Sequence, residues 1–486
     1  MLLKRFLVLL TLLCLLSALL LIRAVERFDE TGWNSGHALW ELMRLFMHLS
    51  FFGLVYLLTW RPLSALAVTF AVVVCLTGAN AVKKQMVFEP IVFSDLGLMG
   101  QIVRHPKLYF LDNLPLVIAS VAVIAVSLGA AFWLEPVGVP WAPAYGVGVV
   151  AWGWLFLAKA KLRRHFSALL LDEQLGWGSA RLGLLCALVL QFVCWLDWRR
   201  VPRATPGSTL PNELPDRDVI VVQLESFIDL TPFIGDHHSI WSELQARSRM
   251  HGKLRVPARG ANTMRTEHAV LSGVANATLQ LDRFDPYLRR GDSHQGIPAA
   301  LAARGWKTVF IHPNDLRFFR RDKALPELGF DRLVGQEAFE GNPRIGPYVG
   351  DMAVVREVIT AARASMEQHF IFAVTMENHG PWKAGRLPGV AAGLQSYLAH
   401  QHNTDAALRC LLDFVSSAPR RVTLVLYGDH APALASLPSG IDSSLTDYVI
   451  VDNAGLIEAS LERDLLPEEL LAMALSLNQQ EIRTRI

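Results

Sequence analysis

Two patterns of apolar residues divide this chain. Up to about residue 197, apolar runs near the length of a bilayer crossing recur at 5–22, 40–59, 63–82, 115–134, 143–158 and 181–197. Beyond residue 217 the runs shorten. DVIVVQLE, WKTVFIH, HFIFAVTME and RVTLVLYGD are continuously apolar rather than alternating, the pattern of strands buried on both faces. IPAALAARG, GDMAVVREVITAARASM and SYLAHQHNTDAALRCLLDFVSS carry helical spacing between them. Such strand–helix alternation predicts a mostly parallel sheet flanked by helices. The segment WRRVPRATPGSTLPNELPDRD, rich in Pro and charge, reads as a linker. The expected organisation is an N-terminal α-helical transmembrane bundle of five or six spans (1–197), a linker (198–217) and a C-terminal α/β domain (218–486). A stretch of about 270 residues is enough for one full core.

Composition sharpens this picture. The chain has 486 residues, 52% of them hydrophobic, and a mean hydropathy of +0.30, which places part of it in lipid. A formal net charge of only +2 points to no nucleic-acid partner. There is no G-x-x-x-x-G-K-[ST] and no G-x-G-x-x-G ahead of a helix, so no nucleotide is implied. Of five cysteines, Cys14, Cys75, Cys186 and Cys194 sit in apolar runs and Cys410 alone lies in the polar half, which excludes a disulfide framework there. The run at 5–22 follows Lys4 and Arg5 but lacks an A-x-A site before Arg23, so it reads as an uncleaved anchor. The basic residues Lys83, Lys84, Arg104, Lys107, Lys159, Lys161, Arg163 and Arg164 fall in two loops that the positive-inside rule assigns to the cytoplasm. With six spans this puts the C-terminal domain outside.

The candidate chemistry lies at the ends of the short runs. VIVVQLES ends on Glu225, FIFAVTMENHG on His379 and RVTLVLYGDH on Asp429 and His430; GANTMRTEHAVLSG, between the first two, carries Thr263. In open α/β sheets functional groups gather at the carboxyl ends of strands. A carboxylate there is costly unless it is paired, hydrogen-bonded or bound to metal. Glu225, Asp429 and His430 offer hard oxygen and imidazole ligands, a set suited to Mn²⁺, Mg²⁺ or Zn²⁺. Thr263 precedes a helical pattern, where a hydroxyl is most often an N-cap. The same position also lets backbone N–H groups hold a phosphate oxygen. Thr266 competes with it inside the run. His379 stands before a turn forced by Gly380 and Pro381. HPNDLRFFRRD, residues 312–322, holds Arg317, Arg320 and Arg321, either a solvated run or a fork for phosphate oxygens.

Together these runs resemble the lipoteichoic acid synthase branch of the alkaline phosphatase/sulfatase superfamily, membrane-anchored enzymes that move phosphoglycerol from phosphatidylglycerol to an acceptor. The resemblance rests on Leu224-Glu225-Ser226, on Thr263 with Glu267 four residues on, on Gly428-Asp429-His430, and on 312–322, which matches a head-group stretch H-x-N-x-x-x-F-W-x-R-D with Phe319 where the family usually has Trp. It implies one divalent metal ion held by Glu225, Thr263, Asp429 and His430. It implies Thr263 as covalent nucleophile and His379 as a catalytic or phosphate-contacting group. Phe319, Arg321, Asp322 and His379 would bind the substrate. The loop KKQMVFEPIVFSDL, with Asp95, resembles a family segment beside the active site, which argues against the cytoplasmic place that the positive-inside rule gives it. The implied partners are phosphatidylglycerol, a glycan or polymer acceptor and the lipid bilayer, with the catalytic domain on the extracytoplasmic side of the plasma membrane. Two alternatives share the superfamily: a phosphoethanolamine transferase, which typically carries several disulfides, and a phosphohydrolase.

Overall fold

The structure, a computed structural model, describes residues 38–98, scattered positions between 118 and 135, 142–172, 176–202, 210–211, 214, 216–235, 239–289, 296–454 and 460–477. The chain divides into two units, Met1–Val201 and Pro202–Ile486.

The first unit is helical. Helix α1 spans Ala38–Thr59 and α2 Pro62–Val87; α3 runs Ala142–Leu171 and α4 Leu184–Trp198. Among the described residues, two helices are long and apolar enough to cross a membrane, Trp40–Thr59 and Pro62–Gln85. They coincide with the expected runs 40–59 and 63–82. The run 143–158 is the first half of α3, whose second half carries Lys159, Lys161, Arg163 and Arg164. The run 181–197 corresponds to the shorter α4. The runs at 5–22 and, for most of its length, 115–134 lie outside the described residues.

Polar side chains in this unit are used to close helix ends. Pro62 opens α2 without a side-chain cap of its own. Glu135 supplies one from far along the chain, accepting from the Leu63 and Ser64 backbone N–H groups at 2.7 and 2.8 Å. At the other end of α2, Asn80 accepts from the Ile91 N–H, Lys83 pairs with Asp95 at 2.6 Å, and Gln191 of α4 accepts from the Phe93 N–H. The segment that follows α2 is therefore tied by side chains of α2 and α4.

The second unit is an α/β domain. Its strands are β1 Asp218–Leu224, β2 Ser248–Arg255, β3 Lys307–Ile311, β4 Arg332–Val334, β5 His369–Val374, β6 Val422–Gly428, β7 Leu445–Asp452 and β8 Leu461–Glu462. They form one eight-stranded sheet in the order β8-β2-β7-β6-β1-β5-β3-β4. The four runs expected to be parallel strands are β1, β3, β5 and β6, and they are parallel to one another at the centre. The sheet is mixed because β7 enters antiparallel to both β6 and β2.

Helices flank this sheet: α5 Met264–Ser272, α6 Ile297–Ala302, α7 Arg321–Leu328, α8 Asp351–Ala362, α9 Leu394–Ser417 and α10 Pro467–Ser476. Alternate residues of β1 (Ile220, Val222, Leu224) share a buried cluster with Val354 and Val358 of α8 and Leu408, Leu411 and Leu412 of α9. Aromatic rings fill part of the rest, with Phe310 stacked on Phe372 at 5.8 Å. Every residue of β1, β5 and β6 is buried, which explains why these strands read as unbroken apolar runs.

Candidate metal centre and nucleophile

The centre starts from strand register. Central strands β1 and β6 are adjacent and parallel, with Leu224 opposite Gly428, so Glu225 and Asp429 leave the sheet at the same level. The chain turns sharply at both points. Ser226 adopts φ +52, left-handed backbone that a non-glycine residue adopts only when its surroundings hold it there. Three hydrogen bonds do so: Ser226 N–H to Asp429 Oδ1 at 2.8 Å, Ser226 Oγ to Glu225 Oε1 at 2.8 Å, and Tyr397 Oη to the Ser226 carbonyl at 2.8 Å. Gly428 is required by crowding rather than by φ: a Cβ there would stand 2.0 Å from the Phe227 carbonyl oxygen.

Glu225, Asp429 and His430 are all buried, and one ligand atom from each falls within 4.8 Å of the others. His430 donates its Nδ1–H to the Ala431 carbonyl at 3.0 Å, which fixes the tautomer and leaves the Nε2 lone pair facing inward. Nε2 lies 3.3 Å from Asp429 Oδ2 and 3.6 Å from Glu225 Oε1. Three lone-pair atoms thus face one another. Asp429 Oδ2 is buried with no hydrogen-bond partner. Burial, and then the neighbouring Asp429 charge, push the Glu225 carboxyl well above its ordinary value. An orphaned carboxylate oxygen, an inward imidazole lone pair and a second carboxylate form a seat that a divalent cation fits. Oxygen and imidazole donors match Mn²⁺, Mg²⁺ or Zn²⁺.

The nucleophile candidates separate cleanly. Thr263 occupies the N-cap position of α5 yet makes no side-chain capping hydrogen bond. Its backbone is already helical (φ −36, ψ −40). It follows Asn262, which is left-handed at φ +64, so the chain swings into the helix at this point. The side chain retains a little exposure, at 8%. Thr266, by contrast, is fully buried and donates its hydroxyl to the Asp429 carbonyl at 2.7 Å. That bond pins the first turn of α5 against the Asp429 strand end. One threonine is committed to structure and the other is left with a hydroxyl that caps nothing.

The sulfatase family model matches residues 217–455. The capsular polysaccharide biosynthesis protein RkpI of Rhizobium meliloti (strain 1021) is 33% identical over 438 residues, covering 85% of this chain and 81% of that protein. The chain belongs to the sulfatase family. A putative cyclic β-1,2-glucan modification protein of the same organism is 28% identical over 263 residues, 49% of this chain and 39% of that protein. Among solved structures, the Streptococcus pyogenes phosphoglycerol transferase GacH in complex with sn-glycerol-1-phosphate aligns with a TM-score of 0.46 and 19% identity, covering 66% of this chain and 81% of that one.

In this sulfatase-family chain the stretch 312–322 is a structural wall as much as a row of donors. Arg317 forks onto Asp315 at 2.8–3.0 Å, and Arg320 reaches Asp285 at 2.5 Å. Arg321 is 2% exposed and bidentate to Glu267, which is itself fully buried (Nε to Oε1 and Oε2 at 3.1 Å, Nη2 to Oε2 at 2.8 Å). Tyr287 Oη also donates to Glu267 Oε1, at 2.9 Å. Arg321 Nη1 approaches His312 Nε2 at 3.1 Å, while His312 Nδ1 faces the Val374 carbonyl. Arg321 is a permanent donor, so His312 is held as the Nδ1–H tautomer. Burial first, then the Arg321 charge, keep its pKa well below the ordinary value. Phe319 is buried, left-handed at φ +55, with its ring 5.4 Å from the Arg321 guanidinium carbon. Asp322, in the first turn of α7, is half-buried.

His379 sits on the segment after β5. Its Nδ1 lies 2.7 Å from the Gly380 carbonyl and 3.0 Å from Tyr348 Oη. The carbonyl can only accept, so Nδ1 carries the proton and Nε2 is the basic atom. Burial lowers the His379 pKa, which makes the neutral ring the resting form at neutral pH. A second buried network holds this segment in place. Asp351 accepts from the Met376 and Glu377 N–H groups and from Thr404 Oγ1; Glu377 accepts from Asn403, His400 and the Asp351 N–H. Glu377, two residues before His379, was the one sequence signal of it: a carboxylate just past a buried strand.

Proposed function

We propose that this chain is a membrane-anchored phosphotransferase that moves phosphoglycerol from phosphatidylglycerol to a glycan acceptor through a covalent intermediate on Thr263. The observation that carries the reading is the pairing of an uncapping hydroxyl at a helix N-terminus with the orphaned Asp429 Oδ2 at the neighbouring strand end. Glu225, Asp429 and His430, with the Thr263 hydroxyl, would hold one divalent cation. When bound, it supplies Lewis-acid stabilisation of charge on the transferring phosphoryl group.

The chain's own residues account for the rest. The backbone N–H groups of the first turn of α5 point toward the side on which Thr263 stands and favour an anionic oxygen there. In the first step Thr263 Oγ1 loses its proton and bonds to phosphorus. The bond from phosphorus to the diacylglycerol oxygen breaks, and that oxygen takes up a proton. In the second step the acceptor hydroxyl attacks phosphorus, the bond to Thr263 breaks, and Thr263 Oγ1 takes back a proton. Neutral His379, basic at Nε2, is suited to take the proton of the acceptor hydroxyl. Glu267 and Arg321 cancel each other's charge and fix the wall behind the site.

The relatives' names support a carbohydrate acceptor, one a capsular polysaccharide biosynthesis protein and the other a putative cyclic glucan modification protein. The two apolar helices support the anchor, because a lipid donor stays in the bilayer. Cys410 is a free thiol and the sole cysteine of the second unit, which favours phosphoglycerol over a disulfide-bearing phosphoethanolamine transferase.

The test is incubation of the full-length protein with labelled phosphatidylglycerol and membrane extract, followed by mass spectrometry of protein and glycan. A phosphoglycerol adduct should appear on the peptide holding Thr263, then label on a glycan. Thr263→Ala should cost orders of magnitude in turnover with little loss of stability. Near-normal turnover in that variant, with no adduct on wild-type protein, would refute the covalent route.

A further inference from the structure

Arg386 stands on the segment that carries His379 and has a built seat. Its Nη1 donates to the His379 carbonyl at 2.5 Å and its Nη2 to the Glu377 carbonyl. The guanidinium carbon lies 4.9 Å from the centre of the Tyr348 ring. Its stem passes over Gly346, a left-handed residue (φ +65) at which a Cβ would come within 2.9 Å of Arg386 Cγ. Tyr348, beneath the guanidinium, is the residue whose hydroxyl also meets His379 Nδ1.

The charge of this seat is not balanced locally. Both hydrogen-bond partners of Arg386 are neutral carbonyls, and no carboxylate lies within ion-pair distance of it among the described residues. Arg386 Nε is buried with no hydrogen-bond partner. Arg321 is the opposite case, its charge cancelled by Glu267. Arg386 as a whole is half-buried while its Nε is buried, and a buried donor left without an acceptor is costly and persists in native proteins where something else completes it. Burial pulls the Arg386 pKa down, while Tyr348, Glu377, Glu225 and Asp351 oppose it.

We propose that Arg386 is the residue that takes the negative charge of the phosphoryl group in this site, and that Arg321 acts as a positioning residue through Glu267 and His312. This deepens the phosphotransfer reading and rests on it. A phosphodiester brings one negative charge. Beside the cation that Glu225, Asp429 and His430 would hold, the Arg321–Glu267 pair is neutral as a unit and His379 is neutral in its resting form, so Arg386 is the side chain that supplies a positive charge with one donor to spare. Arginine suits the task because its planar fork can hold two carbonyls with the terminal nitrogens while Nε serves a third acceptor.

The test uses full-length protein in detergent and two probes, sn-glycerol 1-phosphate and inorganic phosphate, titrated calorimetrically against wild type, Arg386→Gln and Arg386→Lys, with melting temperatures for all three. Wild type should bind both probes. Arg386→Gln should weaken both by about tenfold or more, the loss of one charge-assisted contact, and raise KM for phosphatidylglycerol more than it lowers kcat. Arg386→Lys keeps the charge but cannot fork onto two carbonyls, and should recover most of the affinity. Unchanged binding in Arg386→Gln overturns the proposal. Equal loss in the Gln and Lys variants with equally lowered melting also overturns it, since that is the signature of a brace. Phosphate binding that depends on Arg386, without glycerol phosphate binding, upholds the anion role and refutes the phosphoglycerol reading. Wild-type protein that binds neither probe refutes both.

Discussion

Replacing Arg321 with methionine should lower the melting temperature of the second unit markedly, although a group that served only to bind substrate would leave stability untouched. Arg321 is 2% exposed and Glu267 is fully buried. Three hydrogen bonds of 2.8–3.1 Å join them. Removing the guanidinium strands the carboxylate with Tyr287 as its remaining side-chain donor among the described residues. Breaking a buried pair from one side costs about 3–5 kcal/mol, because an uncompensated charge is left behind. That is a large share of a total stability of about 5–15 kcal/mol. For a domain of this size each kcal/mol shifts the melting temperature by about 2–4 °C, so a drop of roughly 10 °C is expected. Adding Glu267→Gln should restore more than half of the loss, since the amide needs no counter-charge and Tyr287 can still donate to its oxygen. The assay is thermal unfolding of the full chain in detergent, followed by size-exclusion chromatography after each temperature step. An Arg321→Met variant that melts within about 2 °C of wild type would refute the ion-pair argument, given the steep cost of a lone buried charge.

Elemental analysis of the purified full chain should find roughly one divalent cation, and the Asp429→Ala, His430→Ala double variant should lose it; unchanged content would rule out this seat. Metal uptake should strengthen as pH rises, because the folded protein without metal holds a proton on Glu225 that the unfolded chain has released above its ordinary pKa of 4.5. By the same sign, the metal-free fold loses stability as pH climbs from that value toward the raised folded one, so the melting shift on adding Mn²⁺ should grow across that window; a flat response contradicts it. Thr266→Val should cost about 1–3 kcal/mol by leaving the Asp429 carbonyl unpaired, and no phosphoryl adduct should ever map to position 266. Gly428→Ala should displace the Asp429 strand end and abolish metal binding, since its Cβ would stand 2.0 Å from the Phe227 carbonyl oxygen; normal metal content would show that the strand ends can yield. A phosphatase-type reporter fused after residue 215 should be active outside the cytoplasm, and activity only inside would reverse the proposed topology.

The sequence by itself determined the central layer of this protein. Strands β1, β3, β5 and β6 are buried on both faces, so each had to be written as an unbroken apolar run, and such runs are legible without any partner. The carboxylates and histidine at their ends were legible for the same reason: charge placed just past a buried strand stands out. The edge of the sheet was not. Strand β2 reads SRMHGKLR, whose polar side chains find partners such as Asp447 and Ser460 only when β7 and the segment before β8 arrive from more than 190 residues away. Tertiary structure also decided between candidates. Thr263 and Thr266 compete within one run, where the spacing to Glu267 favours Thr263, and the fold adds the 2.7 Å bond that commits Thr266 to a carbonyl delivered by β6. The arginines of 312–322 look alike until folding hands Arg317 to Asp315, Arg320 to Asp285 and Arg321 to Glu267, while Arg386, inconspicuous in sequence, is left with neutral partners. Local pattern records which residues must leave water. Which charges cancel is a property of pairs, and pairs are made only by the fold.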